Sequence, residues 1–170
     1  QEIENRYHMV FESANDAIFI LKDYHYIDCN LNSVKLLGIP KKKIINSALW
    51  EVSPLLQFDG KPSKEKAIKH MEKALKGTPQ RFEWLHQCAN NTIIDTEVSI
   101  NKFEIPGEDF LLAVVRDISE RKKFEKEVYI STFKGEENER SRLAKELHDG
   151  LGPLISACKI YHHNLNELKF

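Results

Sequence analysis

The sequence predicts an α+β domain followed by a long helical, coiled-coil-like segment. Three observations predict it. Two short apolar runs, 17–21 and 24–29, come early and are followed by helical patterning. Three longer stretches of alternating or apolar character then fill 81–115. Beyond about residue 117 the period-two signal disappears. From Leu147 onward the apolar residues fall at four-then-three steps, the seam of a coiled coil.

The elements follow in order. Residues 3–14 read as a short helix with Ile3, Tyr7, Val10 and Phe11 on one side. The strands 17–21 and 24–29 are joined by Lys22-Asp23, a plausible tight turn. Leu31 to Leu37 reads as one or two helical turns, closed by Gly38, with Pro40 blocking continuation. Ser63 is placed to cap a helix reaching about Lys76, with Ile68, Met71 and Leu75 inward, and Gly77 ends it. Phe82 and Trp84 alternate with Arg81, Glu83 and Leu85, and Asn90-Asn91 makes a turn. Ile94, Thr96, Val98 and Ile100 mark a half-buried strand; Phe103 breaks the alternation, which predicts a bulge near Lys102. Pro106-Gly107 turns the chain into 110–115, the most apolar strand and therefore a central one.

Asp117-Ile118-Ser119-Glu120 has capping-box spacing and opens a charged helix. Gly135 is expected to interrupt it, with a second helix starting near Glu136. The seam runs Leu147, Leu151, Leu154, Cys158, Tyr161, Leu165, Leu168 and weakens upstream at Ala144 and Arg140. A stripe of this kind wants a partner helix, so a homodimer through the helical segment is expected. The division is 1–116, a linker helix over 117–135, and a dimerisation helix over 136–170 that is incomplete.

Of the 170 residues, 41% are hydrophobic and 30% charged, a globular composition. The net charge of -1 gives no general reason to expect nucleic acid, and the short run Lys41-Lys42-Lys43 reads as a solvated face. Cys29, Cys88 and Cys158 are odd in number and far apart, which suggests neither a disulfide framework nor a metal site. A reducing, cytoplasmic setting is expected, in a piece of a longer protein whose membrane segment, if it has one, lies elsewhere.

The stretch Glu146-Leu147-His148-Asp149-Gly150-Leu151-Gly152-Pro153 carries the chemistry. With Leu147 and Leu151 on the seam, His148 sits beside it on a helix, facing solvent. A neutral imidazole can attack a phosphoryl group through one nitrogen while a neighbouring carboxylate, here Asp149, holds the other N–H. The plain alternative is an exposed His and a surface charge. Against it stand Gly150, Gly152 and Pro153, three poor helix formers inside a strong heptad, which suggest a bend with a purpose.

Residues 139–153, Glu139-Arg140-Ser141-Arg142-Leu143-Ala144-Lys145-Glu146-Leu147-His148-Asp149-Gly150-Leu151-Gly152-Pro153, resemble the phosphoacceptor helix of sensor histidine kinases of the nitrate-sensor and membrane-fluidity-sensor type. The resemblance implies autophosphorylation of His148 from ATP, with Asp149 as its acid/base neighbour. It also implies a dimeric four-helix bundle and transfer to an aspartate of a response regulator. The ATP would be bound by a domain outside this chain, so the chain alone should be inactive. Many members carry Gln where this sequence has Pro153, which leaves phosphatase activity by that route in doubt.

The first part resembles a PAS domain. Phe11-Glu12-Ser13-Ala14-Asn15-Asp16-Ala17-Ile18, Asp28-Cys29-Asn30 and Arg116-Asp117-Ile118-Ser119-Glu120-Arg121-Lys122 carry the likeness. It implies a five-stranded antiparallel sheet with flanking helices that often enclose a small ligand. Phe19, Trp84, Val98, Ile100 and Leu112 are expected on the sheet's inner face, filling a core or lining a pocket. The ligand itself is unknown. Haem would use His70 on the longer helix, but the expected inner face puts His70 on the flank. A flavin adduct would need a Cys context that neither Cys29 nor Cys88 has. The competing reading of the whole chain is a non-enzymatic ligand-binding or dimerisation module that regulates another output, such as a nucleotide cyclase.

Overall fold

The structure, a computed structural model, describes residues 2–167, with side chains described for 2 and 5–159. The expected seam positions Tyr161, Leu165 and Leu168, and the side chain of Ile3, lie outside the described residues. The element order is α1 (Glu2–Ser13), β1 (Ala17–Lys22), β2 (His25–Cys29), α2 (Leu31–Leu37), α3 (Lys41–Ile44), a 3₁₀ turn (Leu49–Val52), α4 (Ser63–Leu75), β3 (Gln80–Gln87), β4 (Ile93–Ile105), β5 (Glu108–Asp117) and α5 (Ser119–Glu167). The five strands form one antiparallel sheet in the order β2-β1-β5-β4-β3. The chain divides into two compact units, Gln1–Lys122 and Lys123–Phe170.

Turn chemistry sets the strand boundaries. β1 and β2 are joined through Asp23 and Tyr24, both at positive φ, which matches the right-handed twist of a two-residue hairpin. The turn is therefore Asp23-Tyr24, one residue later than expected. Pro106-Gly107 joins β4 to β5, with Gly107 at φ +85°, a backbone conformation that favours glycine. The expected bulge near Lys102 is absent: β4 and β5 stay in register from Thr96↔Asp117 to Ile105↔Glu108. Phe103 does not break the strand. It belongs to the outer face and stacks on Phe110, with ring centroids 5.5 Å apart. The irregularity lies between β1 and β2, where Ile20↔Asp28 is followed by Leu21↔Tyr26 and Ile27 is the extra residue.

The core lies between the inner face of the sheet and α2, α3, the 3₁₀ turn and α4. α4 buries Ser63, Ala67, Met71 and Ala74, with Leu75 half-buried against the core. The inner stripe is thus shifted toward small residues, and only Met71 of the expected three is fully inside. Ser63 is the first helical residue rather than a cap. Its hydroxyl bonds the Pro54 carbonyl and accepts from Gln57. The Gln57 side-chain amide accepts from the Leu85 N–H and donates to the Leu85 carbonyl, giving edge strand β3 a partner that is not a strand.

Asn30 ties the start of the domain together. It is wholly buried. Its Oδ1 accepts from the backbone N–H of Ile18 and of Ser33, the second bond capping α2. Its Nδ2 donates to the carbonyls of Phe11 and Asp16. One side chain thereby links α1, the following loop, β1 and α2.

α5 is one uninterrupted helix. Neither Gly135 nor Pro153 ends it, which corrects the expected break at Gly135 and the separate start near Glu136. Glycine costs a helix interior only about 1 kcal/mol, a single cost too small to stop propagation of a helix already formed on both sides. At the start, Asp117 Oδ1 accepts from the Ser119 N–H, two residues on, rather than closing a box with Glu120. The first turn is fastened to the sheet by Lys122, which pairs with Glu83 and Asp95 at 2.6 and 2.7 Å. The compact unit that holds the sheet runs to Lys122.

Candidate functional site

The expected site residues fall into separate groups. Four of the five pocket candidates, Phe19, Trp84, Val98 and Ile100, are buried on the inner face and belong to one packed cluster. Trp84 donates its indole N–H to Ser53 Oγ at 2.9 Å. Leu112 is the exception and corrects the expected placement. It pairs with Ile20 across β1, whereas Leu111, Ala113 and Val115 face inward, so Leu112 lies on the outer face. The run Phe110-Leu111-Leu112-Ala113-Val114-Val115 is apolar on both faces, and such a run conceals its own parity.

On that outer face, beneath α1, lies a cavity of about 540 Å³. Its walls are almost wholly apolar and include Tyr7, Phe11, Ile20, Phe103, Phe110 and Leu112. Tyr7 stacks on Phe11 with ring centroids 5.4 Å apart, so an aromatic pair from α1 forms one wall. Asp28 is the ionisable carboxylate of the lining, and it is paired with Lys41 at 2.6 Å. Burial and the nearby Asp28 carboxylate push the Tyr7 phenol up from its ordinary value. The volume and the ratio of apolar to polar lining suit a small apolar molecule.

The inner face holds two polar side chains that sequence reasoning did not single out. His86 is fully buried, and its Nδ1 lies 2.8 Å from Thr96 Oγ1. The Thr96 hydroxyl donates to the Trp84 carbonyl, so it accepts from His86 and fixes the Nδ1–H tautomer. Burial pushes the imidazole down to about 4. Among the described residues, His86 Nε2 and Tyr26 Oη are buried without a hydrogen-bond partner. The signal that could have found His86 was its parity with Trp84 on an alternating strand.

His70 sits on the flank of α4, stacked on Phe82 at 3.7 Å, with Nδ1 3.1 Å from Gln80 Oε1. Desolvation lowers its basicity. The Cys29 thiol is buried and pushed up to about 11, while Cys88 donates to the Leu36 carbonyl.

On α5, His148 and Asp149 are brought together. His148 Nδ1 lies 3.5 Å from Asp149 Oδ1, and the His148 side chain is 88% exposed. Nε2 is the ring nitrogen turned away from the carboxylate. Leu147, Leu151 and Leu154 of the seam are all exposed, and so is Cys158. Six residues before His148, Arg142 is held between Glu139 and Glu146 by short contacts. Among the described residues, no helix is long and apolar enough to cross a membrane.

Comparison with known proteins places the first unit. Over 127 residues, the chain is 31% identical to a methyl sulfide methyltransferase-associated sensor of Methanosarcina acetivorans, covering 74% of this chain and 12% of that protein. It is 21% identical over 156 residues to the diguanylate cyclase DgcM of Escherichia coli O157:H7, covering 89% of this chain and 33% of the cyclase. The chain thus spans only a minor part of either relative. Among solved structures, the PAS domain of an HTR-like protein from Haloarcula marismortui superposes with a TM-score of 0.59 at 24% identity, covering 69% of this chain and 93% of that one. A PAS domain from a two-component sensor histidine kinase superposes at 0.56 and 17% identity, covering 68% and 97%. The fold, the strand order and the match of a PAS domain model to residues 15–120 agree, and the chain belongs to the PAS domain family.

Proposed function

We propose that the chain is the sensory and phosphoacceptor part of a sensor histidine kinase, with His148 as the residue phosphorylated. The observation that carries this reading is the exposed His148 imidazole on a continuous helix, beside an unpartnered leucine seam and with Asp149 3.5 Å from Nδ1. Asp149 favours the proton on Nδ1 and leaves the Nε2 lone pair free. Nε2 attacks the γ-phosphorus of ATP held by a domain outside this chain. An Nε2–P bond forms, the bond from phosphorus to the bridging oxygen breaks, and ADP leaves with that electron pair. The positive charge that develops on the ring lies next to the Asp149 carboxylate. The phosphoryl group then passes to an aspartate of a response regulator. Leu147, Leu151, Leu154 and Cys158 form the homodimer seam.

The signal enters at the first unit. The inner-face candidates Phe19, Trp84, Val98 and Ile100 are packed together, and the sizeable apolar space is the outer cavity that Leu112 lines. A small apolar signal has room there. A change at α1 or the sheet would reach α5 through Lys122 and its partners Glu83 and Asp95.

A second reading has one observation in its favour. The likeness to the diguanylate cyclase runs over 156 residues, more than the first unit contains. A PAS domain and helix of this design could regulate a different output. The deciding experiment joins the downstream ATP-binding region to the chain, adds γ-labelled ATP, and compares wild type with His148→Gln. An acid-labile, base-stable label that disappears in the mutant supports the kinase reading. No label, with ATP shown to bind, supports the other output. A label that survives in the mutant means a different acceptor.

A further inference from the structure

We infer that Glu137 and Arg140 form a crossed ion-pair layer with the same two residues of a second copy of this chain, and that this layer holds α5 in a parallel, in-register pair. The inference rests on the homodimer seam proposed above and is independent of the role of His148.

The seam continues upstream of Ala144. Counting back from Leu147 in steps of three and four gives Ala144, Arg140, Glu137, Phe133 and Ile130. Ile130 and Phe133 are both exposed in the single chain. Between 130 and 158 every Ile, Leu and Phe lies on this register or directly beside it, as Leu143 and Ile155 do. Gly135 falls on the opposite side of the helix, and Lys126 and Lys123 end the stripe before Ile130. From Ile130 to Cys158 the charged positions of the stripe are Glu137 and Arg140 alone. They are neighbours on it and opposite in sign. A stripe that simply faded into a solvated helix would have no reason to resume on the same register beyond them.

Neither charge is used within the helix. Arg142 is held by both Glu139 and Glu146. Glu137 and Arg140 are three residues apart, a spacing at which side chains can meet. Yet among the described residues neither takes part in an ion pair or a side-chain hydrogen bond.

The crossed pairing follows from how such helices pack. In a parallel pair, each seam residue inserts among four residues of the facing helix, including seam residues at its own level and the next. Glu137 therefore meets Arg140 of the second copy. Long side chains lean toward the helix N-terminus, so Arg140 reaches back across the roughly 4.5 Å that separates it from the level of residue 137. Two symmetric pairs close the layer, each joining one copy to the other. Other arrangements lose this. Slipping one helix by a heptad sets Glu137 against Ala144 and Arg140 against Leu147, which leaves both charges unpaired in an apolar seam. Turning one helix round with the leucines kept together carries the two charged levels to opposite ends. A polar layer inside an apolar seam thus selects one register.

Cys158, exposed and on the same register, reports the pairing. In the parallel, in-register pair it faces its counterpart closely enough for a disulfide, and in a slipped or reversed pair it does not. The chain is oxidised, and the rate of cross-linking to the dimer is followed, with Cys158→Ser as the blank and helix content checked for each variant. Wild type is compared with Glu137→Arg, with Arg140→Glu, and with an equal mixture of those two variants carrying different tags. Glu139→Arg makes the same change of charge off the seam. Glu137→Arg and Arg140→Glu alone should each cross-link about tenfold more slowly than wild type, or slower, because like charges then face one another. Their mixture should form the mixed dimer within about threefold of the wild-type rate, since every charge regains an opposite partner. Glu139→Arg should stay within about twofold of wild type. Rescue by mixing is a result that a pair confined to one helix cannot give. A wild-type rate in Glu137→Arg, or a mixture no faster than its components, overturns the layer and leaves the seam standing. An equal loss in Glu139→Arg also overturns it, because net charge would then suffice. A wild type that forms no cross-link through Cys158 overturns the layer and the seam together.

Discussion

Replacing Asn30 by alanine should destabilise the first unit more than its small change in volume suggests. The side chain is wholly buried and makes hydrogen bonds in four directions: to the N–H of Ile18 and Ser33, and to the carbonyls of Phe11 and Asp16. Ser33 N–H keeps a partner, because the Asn30 backbone carbonyl lies 3.2 Å away. The Ile18 N–H and the two carbonyls lose theirs. A buried polar group left unpaired costs about 1–3 kcal/mol; the bond to the Phe11 carbonyl is fully buried, while those to Ile18 and Asp16 are part-buried and cost less to lose. The expected loss is therefore about 4 kcal/mol, a large share of the roughly 5–15 kcal/mol that holds a domain folded. For a unit of this size it lowers the melting temperature by about 15 °C. Asn30→Asp is the informative second variant. It keeps an oxygen for Ile18 and Ser33 but sets another against the Phe11 and Asp16 carbonyls, so it should lose a comparable amount. Thermal unfolding followed by circular dichroism, with urea titration as a check, measures both. A shift below about 4 °C for Asn30→Ala would refute the reasoning, since it would mean that the Ile18 N–H and the carbonyls find other partners easily.

Two further predictions follow from the same geometry. His86 titrates at about 4 in the folded chain, against 6.5 for an ordinary histidine. The unfolded chain takes up the proton first, so stability present above pH 6.5 is lost as the pH falls toward 4, by about 3 kcal/mol in total. Urea midpoints at pH 7, 5.5 and 4 should show this loss, and His86→Phe should flatten it; an unchanged slope in the mutant would assign the effect to other groups. Leu151→Asp places a charge in the seam and should convert a dimer to monomer in sedimentation equilibrium without unfolding the first unit. A wild-type chain that is already monomeric at tens of micromolar would argue against the seam as the sole dimer contact.

Local chemistry made much of the molecule legible in advance. Alternation exposed β3 and β4, and turn residues at Gly38, Asn90-Asn91 and Pro106-Gly107 marked where elements end. The His148 segment was readable because it breaks the helix rules around it, and the meaning of that break remains a proposal.

Other features depend on contacts between distant parts of the chain, and no local pattern encodes them. Leu112 lies on the face opposite to the one expected, because a central strand covered on both sides has no polar beat to count from. Phe103 suggested a bulge because the sequence does not reveal that α1 shelters the far end of the outer face and rewards an apolar residue there. Ser63 has the chemistry of a cap, yet its hydroxyl is claimed by Pro54 and Gln57. Gly135 and Pro153 are breakers by propensity, but a helix is cooperative, and isolated costs of about 1 and 3 kcal/mol within 49 residues do not divide it. The sequence by itself determined the order of the strands and of the longer helices of the first unit, the domain family and the candidate nucleophile, because each is written in spacing of 2, 3.6 or 3.5 residues or in a short motif. Only the tertiary structure decided which face holds open space, which buried groups are paired and how far the exit helix is anchored, because those depend on residues far apart in the chain meeting across the sheet.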